Sequence, residues 1–310
     1  MLDGLPLELL LSPWALAVLG LIVGSFLHVV VHRLPTMLER QWWGDVAAQL
    51  TDSDGYRRVF GVAAPPALGE SGSTLQSRLD ALPALGLARP ASRCPSCSRP
   101  IRWHENVPVL GWLRLRGRCA GCGTRISPRY PLVELLTGLL VLGAAIKFGL
   151  SPSFLFLAIF ICALIVITFI DLEHMIIPNV ISIPGIAAGL LYNILITDWK
   201  LSIELLGYFK PSLNYFLALV SYVPAVDSIT GIILGGGLLL LIAVTYELLR
   251  KREGMGMGDV KLLAMIGAFL GWKGVVFTIF VSSIAGTLIG LSVILYKKGD
   301  MKYALPFGPF

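Results

Sequence analysis

The sequence predicts an all-α polytopic membrane protein: about seven transmembrane helices, with a cytoplasmic four-cysteine, zinc-ribbon-like domain inserted after the first. Three observations carry that prediction. The chain is 55% hydrophobic and 14% charged, with a mean hydropathy of +0.77, whereas a soluble domain carries about 25% charged residues. Its apolar residues gather in runs close to the roughly 20 residues a helix needs to cross a bilayer. Two C-x2-C pairs, Cys94/Cys97 and Cys119/Cys122, stand in the long polar interval between the first run and the second.

The first run, Leu9 to Val31, follows a stretch holding Asp3 and Glu8 but no Lys or Arg. It lacks the basic n-region of a cleaved signal peptide, so a permanent anchor is expected, with its span at 14–31. Gly24 and Ser25 allow close helix contact in lipid. His28 is expected to be a hydrogen-bonded histidine in a helix interface, and Arg33 to reach the headgroups. Residues 36–93 read as a short helix around Met37 to Leu50 and otherwise a loose connector, punctuated by Pro65-Pro66 and Gly69 to Ser73.

Further spans are expected at 131–149, 154–171, 177–196, 226–248, 260–272 and 274–296. The run after Asp259 is short, which predicts a tilted or half-buried helix. The segment from Thr197 to Ala225, broken by charges and prolines, is expected to lie at the outer interface without an assigned function. The domain boundaries are therefore set at 1–32 for the first transmembrane helix, 33–130 for the cytoplasmic domain, and 131–310 for the catalytic membrane domain.

Basic residues fix the orientation. With the N-terminus outside, the cytoplasmic segments hold fourteen Arg between 33 and 129, then Arg250, Lys251, Arg252, Lys297, Lys298 and Lys302, twenty of the 25 basic residues. Only Lys147, Lys200, Lys210 and Lys273 fall outside. That asymmetry is the positive-inside pattern. All fourteen Arg before Lys147 occur without a single Lys, whereas nine Lys and two Arg follow. Either the chain joins two sources near 145–155, or its domains differ in composition.

The cysteine hooks echo one another, with Arg99-Pro100-Ile101 after the first and Thr124-Arg125-Ile126 after the second. Two hooks supplying two thiolates each match a tetrahedral structural zinc site. Two disulfides are the alternative, but a cytoplasmic loop is reducing. A site closed by four cysteines leaves no position for water, so the metal is expected to organise the loop. The fifth cysteine, Cys162, lies in mid-span and reads as core packing.

Two ionisable groups stand at the edges of apolar runs, which marks them as functional candidates. Asp171 ends the third span and precedes Leu172-Glu173-His174-Met175-Ile176-Ile177-Pro178-Asn179; Asp259 stands in Gly256-Met257-Gly258-Asp259-Val260-Lys261. The topology puts both on the cytoplasmic side at similar depth. Two carboxyl groups that share a proton can direct water onto a peptide bond. Gly256 and Gly258 would let another backbone pass close to Asp259, with Lys261 completing the supporting loop. On spacing alone an N-terminal cap at Asp259, and a simple water boundary at Asp171, remain open.

Several motifs occurring in order resemble the type IV prepilin peptidase family. These are residues 24–35, Met37 to Trp42, Trp103 to Pro108, the two cysteine hooks, Asp171 through Asn179, Gly256 through Lys261, and the closing Leu305-Pro306-Phe307-Gly308-Pro309-Phe310. The resemblance implies that Asp171 and Asp259 form the catalytic pair of a G-x-G-D aspartic protease in the bacterial inner membrane. Cys94, Cys97, Cys119 and Cys122 match the family's cytoplasmic zinc-type domain. The implied substrates are prepilins and type II secretion pseudopilins, cut after Gly before a hydrophobic helix. In bifunctional members the new N-terminus is then methylated from S-adenosylmethionine. The site of that cofactor is unknown; Glu39, Arg40 and Glu105 are guesses, each also a plain surface or salt-bridge residue. The lipid bilayer is an expected partner and nucleic acid is not.

The sequence departs from the family in three places. His28 stands where members often have Asn, the interval from Pro35 to Cys94 is long, and members continue past Phe310 into one more span. An eighth helix is therefore expected to be missing. An ion-coupled transporter using the two Asp as a proton relay is the competing class. It leaves the cysteine hooks, and the shared depth of both carboxylates, without an explanation.

Overall fold

The computed structural model describes residues 12–197, 223–251 and 256–297, with side chains to residue 292. The stretch 198–222, Arg252 and the closing Leu305–Phe310 motif lie outside the described residues. The described chain is helical apart from turns and two isolated β-bridges. It divides into two compact units, one of residues 21–135 and one of residues 1–20 with 136–310.

The unit 21–135 is built on α1 (Pro13–Thr51). At 1.5 Å per residue its 39 residues are about 58 Å long, nearly twice a hydrocarbon core. The first helix thus runs on without a stop near residue 32 into the helix expected around Met37 to Leu50, and the loose connector expected beyond it is partly helical. Pro35 removes one hydrogen bond, but the helix formers after it, Met37-Leu38-Glu39-Arg40-Gln41, carry the helix on. Two short helices follow, α2 (Ser53–Phe60) and α3 (Pro66–Asp80). Gly72 lets α3 sit directly on Ala47 and Thr51 of α1. Arg33, expected to reach lipid headgroups, instead donates to the carbonyls of Gly86 and Pro90, both at 2.8 Å, and Arg40 donates to Pro83 O at 2.8 Å. His28 is buried with its ring against Tyr130, centroids 3.6 Å apart. That places it in an interface between α1 and the first turn of the helix that begins at Arg129, as expected of it. A 3₁₀ turn (Trp103–Glu105) and α4 (Leu110–Arg114) then lead through the second hook to α5 (Arg129–Phe148).

The other unit holds the rest of α5 with α6 (Pro152–His174), α7 (Asn179–Ile196), α8 (Pro224–Arg250) and α9 (Met257–Lys297). Six helices among the described residues, α1 and α5 to α9, are long and apolar enough to cross a membrane. Ser151 starts α6, its hydroxyl accepting the N–H of Phe154 with Pro152 next in the first turn. Leu16, Val141, Ala144, Ala145 and Phe154 form one apolar cluster. Phe160, Ile167, Leu262, Met265 and Phe269 form a second, with Phe160 stacked on Phe269 at 4.4 Å.

Two G-x-x-x-G faces bring backbones together, as helix association in lipid favours. Gly185 and Gly189 of α7 face Met265 and Phe269, while Gly231 and Gly235 of α8 face Gly267 and Leu263. Gly231 also meets Gly271, and Gly235 meets Val275. Going up α8 by one turn therefore moves down the first arm of α9 and up its second. The helix folds back at Gly271 (φ 69°, ψ −175°), and the spans expected at 260–272 and 274–296 are its two arms.

That reversal strips an i→i−4 hydrogen bond from the carbonyl of Ala268, which in lipid must be replaced. The first arm, 257–270, is about 21 Å long, short of a full crossing. Asn193 Nδ2 (2.9 Å) and the Ser228 hydroxyl (2.7 Å) both donate to Ala268 O, and the freed N–H of Trp272 donates to Asp227 Oδ1 at 3.3 Å. The break is closed by side chains of α7 and α8.

Candidate active site and metal centre

Asp171 lies in the last turn of α6 and is 5% exposed. The helix ends four residues later, at Met175 in the left-handed region (φ 53°), whose N–H donates to Asp171 O at 2.9 Å. The chain turns through Ile176-Ile177-Pro178 and re-enters a helix at Asn179. Asp259 lies in the first turn of α9, half-buried, its N–H donating to Gly256 O at 3.2 Å. It is the third residue of the helix, inside the favourable end of the helix dipole.

Two contacts join these stretches. A Cβ at Gly258 would come within 2.8 Å of Ile177 Cβ, so only glycine lets the loop after Asp171 lie against the loop before Asp259. Lys261 Nζ donates to Asn179 Oδ1 at 2.8 Å. Asp259 lies within the electrostatic reach of Asp171. The structure thus brings together Asp171, Asp259, Gly258 and Lys261, with the two carboxyls about 88 positions apart in the chain. Gly256, by contrast, meets among the described residues only its own loop, with Asp259 Oδ2 the nearest atom to a Cβ placed there. Sequence reasoning noticed neither Asn179 as a partner nor Ile177 as a wall, because both depend on a contact between distant segments.

In the other unit the four cysteine Sγ atoms lie within 4.8 Å of one another, Cys94 to Cys122 at 3.7 Å and Cys97 to Cys119 at 4.0 Å. Four thiolates at about 2.3 Å around a tetrahedral zinc ion have edges of about 3.8 Å, so the spacing fits a metal. The pairs are free thiols, which agrees with a metal site over two disulfides. Each hook is the same knuckle. Cys94 N–H donates to Arg99 O and Cys119 N–H to Thr124 O, and the residue after each second cysteine, Ser98 (φ 55°) or Gly123 (φ 73°), is left-handed. The echo in sequence is thus an echo in geometry. The side-chain and then the backbone hydrogen bonds of Thr124 pull the Cys122 thiol down to about 6, whereas the Cys97 thiol in the same cluster is pushed up to about 11.

Beside the cysteines lies a cavity of about 160 Å³, bounded by Arg99, Glu105, Trp112, Tyr130 and Glu134 among others. Arg99 and Glu105 pair at 2.7 Å, and Glu105 also accepts the Arg102 N–H at 3.1 Å. The Arg99 hydrogen bond holds the Glu105 carboxyl below its ordinary range. Of the three residues guessed for a cofactor, Glu105 borders this cavity, Arg40 is spent on Pro83, and Glu39 is exposed.

Two family models match the chain. The bacterial peptidase A24 N-terminal domain covers residues 18–148, and the type IV leader peptidase family covers residues 158–291. Among curated proteins, the prepilin leader peptidase/N-methyltransferase of Aeromonas salmonicida (strain A449) is 38% identical over 94% of this chain and 84% of its own length. Proteins of the same name from Pseudomonas putida and Neisseria gonorrhoeae are each 37% identical, over 94% and 96% of this chain and 85% and 88% of theirs. No solved structure matches the chain significantly.

Proposed function

The chain belongs to the type IV leader peptidase family, and on that premise we propose that it cuts the leader from type IV prepilins or pseudopilins and methylates the new N-terminus. It acts at the cytoplasmic face of the bacterial inner membrane, with the N-terminus outside, as the basic-residue asymmetry supports. The observation that carries the reading is the joining of the Asp171 and Asp259 loops through Gly258–Ile177 and Lys261–Asn179. The transporter reading finds no support in the family.

Asp171 and Asp259 are the catalytic residues. Two carboxyl groups in each other's field share one proton. The ionised one takes a proton from water as the water oxygen adds to the scissile carbonyl carbon. The protonated one holds the carbonyl oxygen, and a proton then passes to the departing nitrogen as the C–N bond breaks. The products are a leader ending in a carboxylate and a pilin beginning with an amine. A membrane helix hides its amides, so the scissile bond must arrive unwound, at the edge where both carboxyls lie.

S-adenosylmethionine would supply the methyl group for the new amine, leaving S-adenosylhomocysteine and a proton; no residues are assigned to its site. The four cysteines would hold zinc in a closed site that orders the segment from Arg93 to Ile126 and takes no part in hydrolysis.

The test is leader loss from a purified prepilin, followed on a gel. Asp171→Asn and Asp259→Asn each abolish cleavage while the protein stays folded in detergent. Retention of full cleavage by either variant would end the two-carboxyl reading.

A further inference from the structure

The most exposed large apolar side chains between α3 and α5 are Trp103 (83%), Leu110 (65%) and Leu113 (56%). They occupy one small piece of fold. In α4, Gly111 abuts the carbonyl of Glu105, and Trp112 turns inward to donate its indole N–H to Ile126 O at 3.2 Å. At about 100° per residue, the remaining outward arc holds Leu113, Leu110 and Arg114 in that order. Arg102 adjoins Trp103 in the chain, Arg114 adjoins Leu113 and Arg116 follows two residues on, and all three are exposed. An apolar foot ringed by arginine has the composition of a segment lying in a membrane interface.

A second observation ties it to a helix long and apolar enough to cross a membrane. The N–H of Val109, directly before α4, donates at 2.7 Å to the carboxylate of Glu134, which is buried. Glu134 is the sixth residue of α5, about 7.5 Å along a helix about 30 Å long. Val109 itself is held at φ 59°, ψ −51°, a conformation costly for a β-branched residue. If α5 crosses the bilayer, Leu110 and Leu113 stand where headgroups meet acyl chains.

We propose that Trp103, Leu110 and Leu113, with Arg102, Arg114 and Arg116, form a foot that inserts into an anionic phospholipid surface beside the entry of α5. The foot presses the loop 103–114 against the bilayer from which the substrate's N-terminal helix emerges.

The test uses the full-length protein in nanodiscs containing phosphatidylglycerol, with 5-doxyl phosphatidylcholine as quencher. The difference in emission between wild type and Trp103→Phe isolates one indole. That difference is expected to be blue-shifted, quenched by the doxyl lipid and shielded from iodide, and Leu110→Asp/Leu113→Asp should reverse all three. A difference spectrum that is water-like and quenched by iodide alone overturns the proposal. So does one that shifts only when a prepilin is added, which assigns the surface to substrate. Cleavage does not enter the readout, so failure of the peptidase reading leaves the outcome interpretable.

Discussion

Lys261 Nζ donates a 2.8 Å hydrogen bond to Asn179 Oδ1, tying the second turn of α9 to the first turn of α7. Asn179 is eight residues after Asp171 and Lys261 two residues after Asp259. This side-chain contact therefore shares with Gly258–Ile177 the spacing of the loops that hold the two carboxyls. About 1.4 kcal/mol of lost positioning is a tenfold loss of rate, close to the worth of one hydrogen bond to a charged group. Lys261→Met and Asn179→Leu should each lower the kcat of prepilin cleavage about tenfold, and the double variant should be no worse than either. Additive losses, measured by initial rates on one prepilin, would show that the two residues act separately.

Gly258 lies against Ile177, and a methyl group there has no room. Gly258→Ala is expected to separate the loops and lower cleavage more than about tenfold, since small misplacements at a reacting centre are costly. Shortening the obstacle should restore part of it: Gly258→Ala with Ile177→Ala should cut faster than Gly258→Ala alone. If the glycine served only a local turn, the second substitution would give no rescue in the same gel assay.

The positions of Asp171, Asp259 and the four cysteines were legible because each breaks the pattern around it, a charge at an apolar edge or a pair of thiols at fixed spacing. The closure of the α9 reversal was not. Asn193 and Ser228 look like ordinary small polar residues in apolar runs, and nothing local says that both serve the carbonyl of Ala268, 75 and 40 residues away. The continuation of α1 was hidden for the opposite reason. Pro35 gives a strong local stop signal, which loses to the helix propensity after it and to the anchoring of Arg33 and Arg40 on the carbonyls of Gly86, Pro90 and Pro83.

The Ala268 carbonyl has two donors, so losing one should be tolerated better than losing both. Ser228→Ala should cost about 0.5–1.5 kcal/mol, the net worth of one hydrogen bond. Ser228→Ala with Asn193→Leu should cost more than the sum of the single changes, because only then is a buried carbonyl left without a partner. The midpoint of thermal unfolding in a mild detergent reads both. Strictly additive shifts would show that the reversal at Gly271 does not depend on these two side chains.

The cysteine centre and the carboxyl pair belong to different compact units, and that division predicts how their losses differ. The knuckles at Cys94–Arg99 and Cys119–Thr124 leave the thiols within 4.8 Å of one another, a crowding that only a bound cation makes favourable for four thiolates. Removing with a strong chelator the metal that the four cysteines would hold, or replacing Cys119 with Ser, should therefore loosen the segment from Arg93 to Ile126. Faster proteolysis within it and a loss of methyl transfer to the cleaved pilin are the expected readouts. Leader cleavage should fall far less than it does in Asp171→Asn, because no step of hydrolysis runs through a metal whose four positions are all filled by cysteine. The discriminating measurement pairs metal content with both activities in one preparation. Immediate loss of cleavage on chelation, with the proteolytic pattern unchanged, would place the metal in the peptidase chemistry instead.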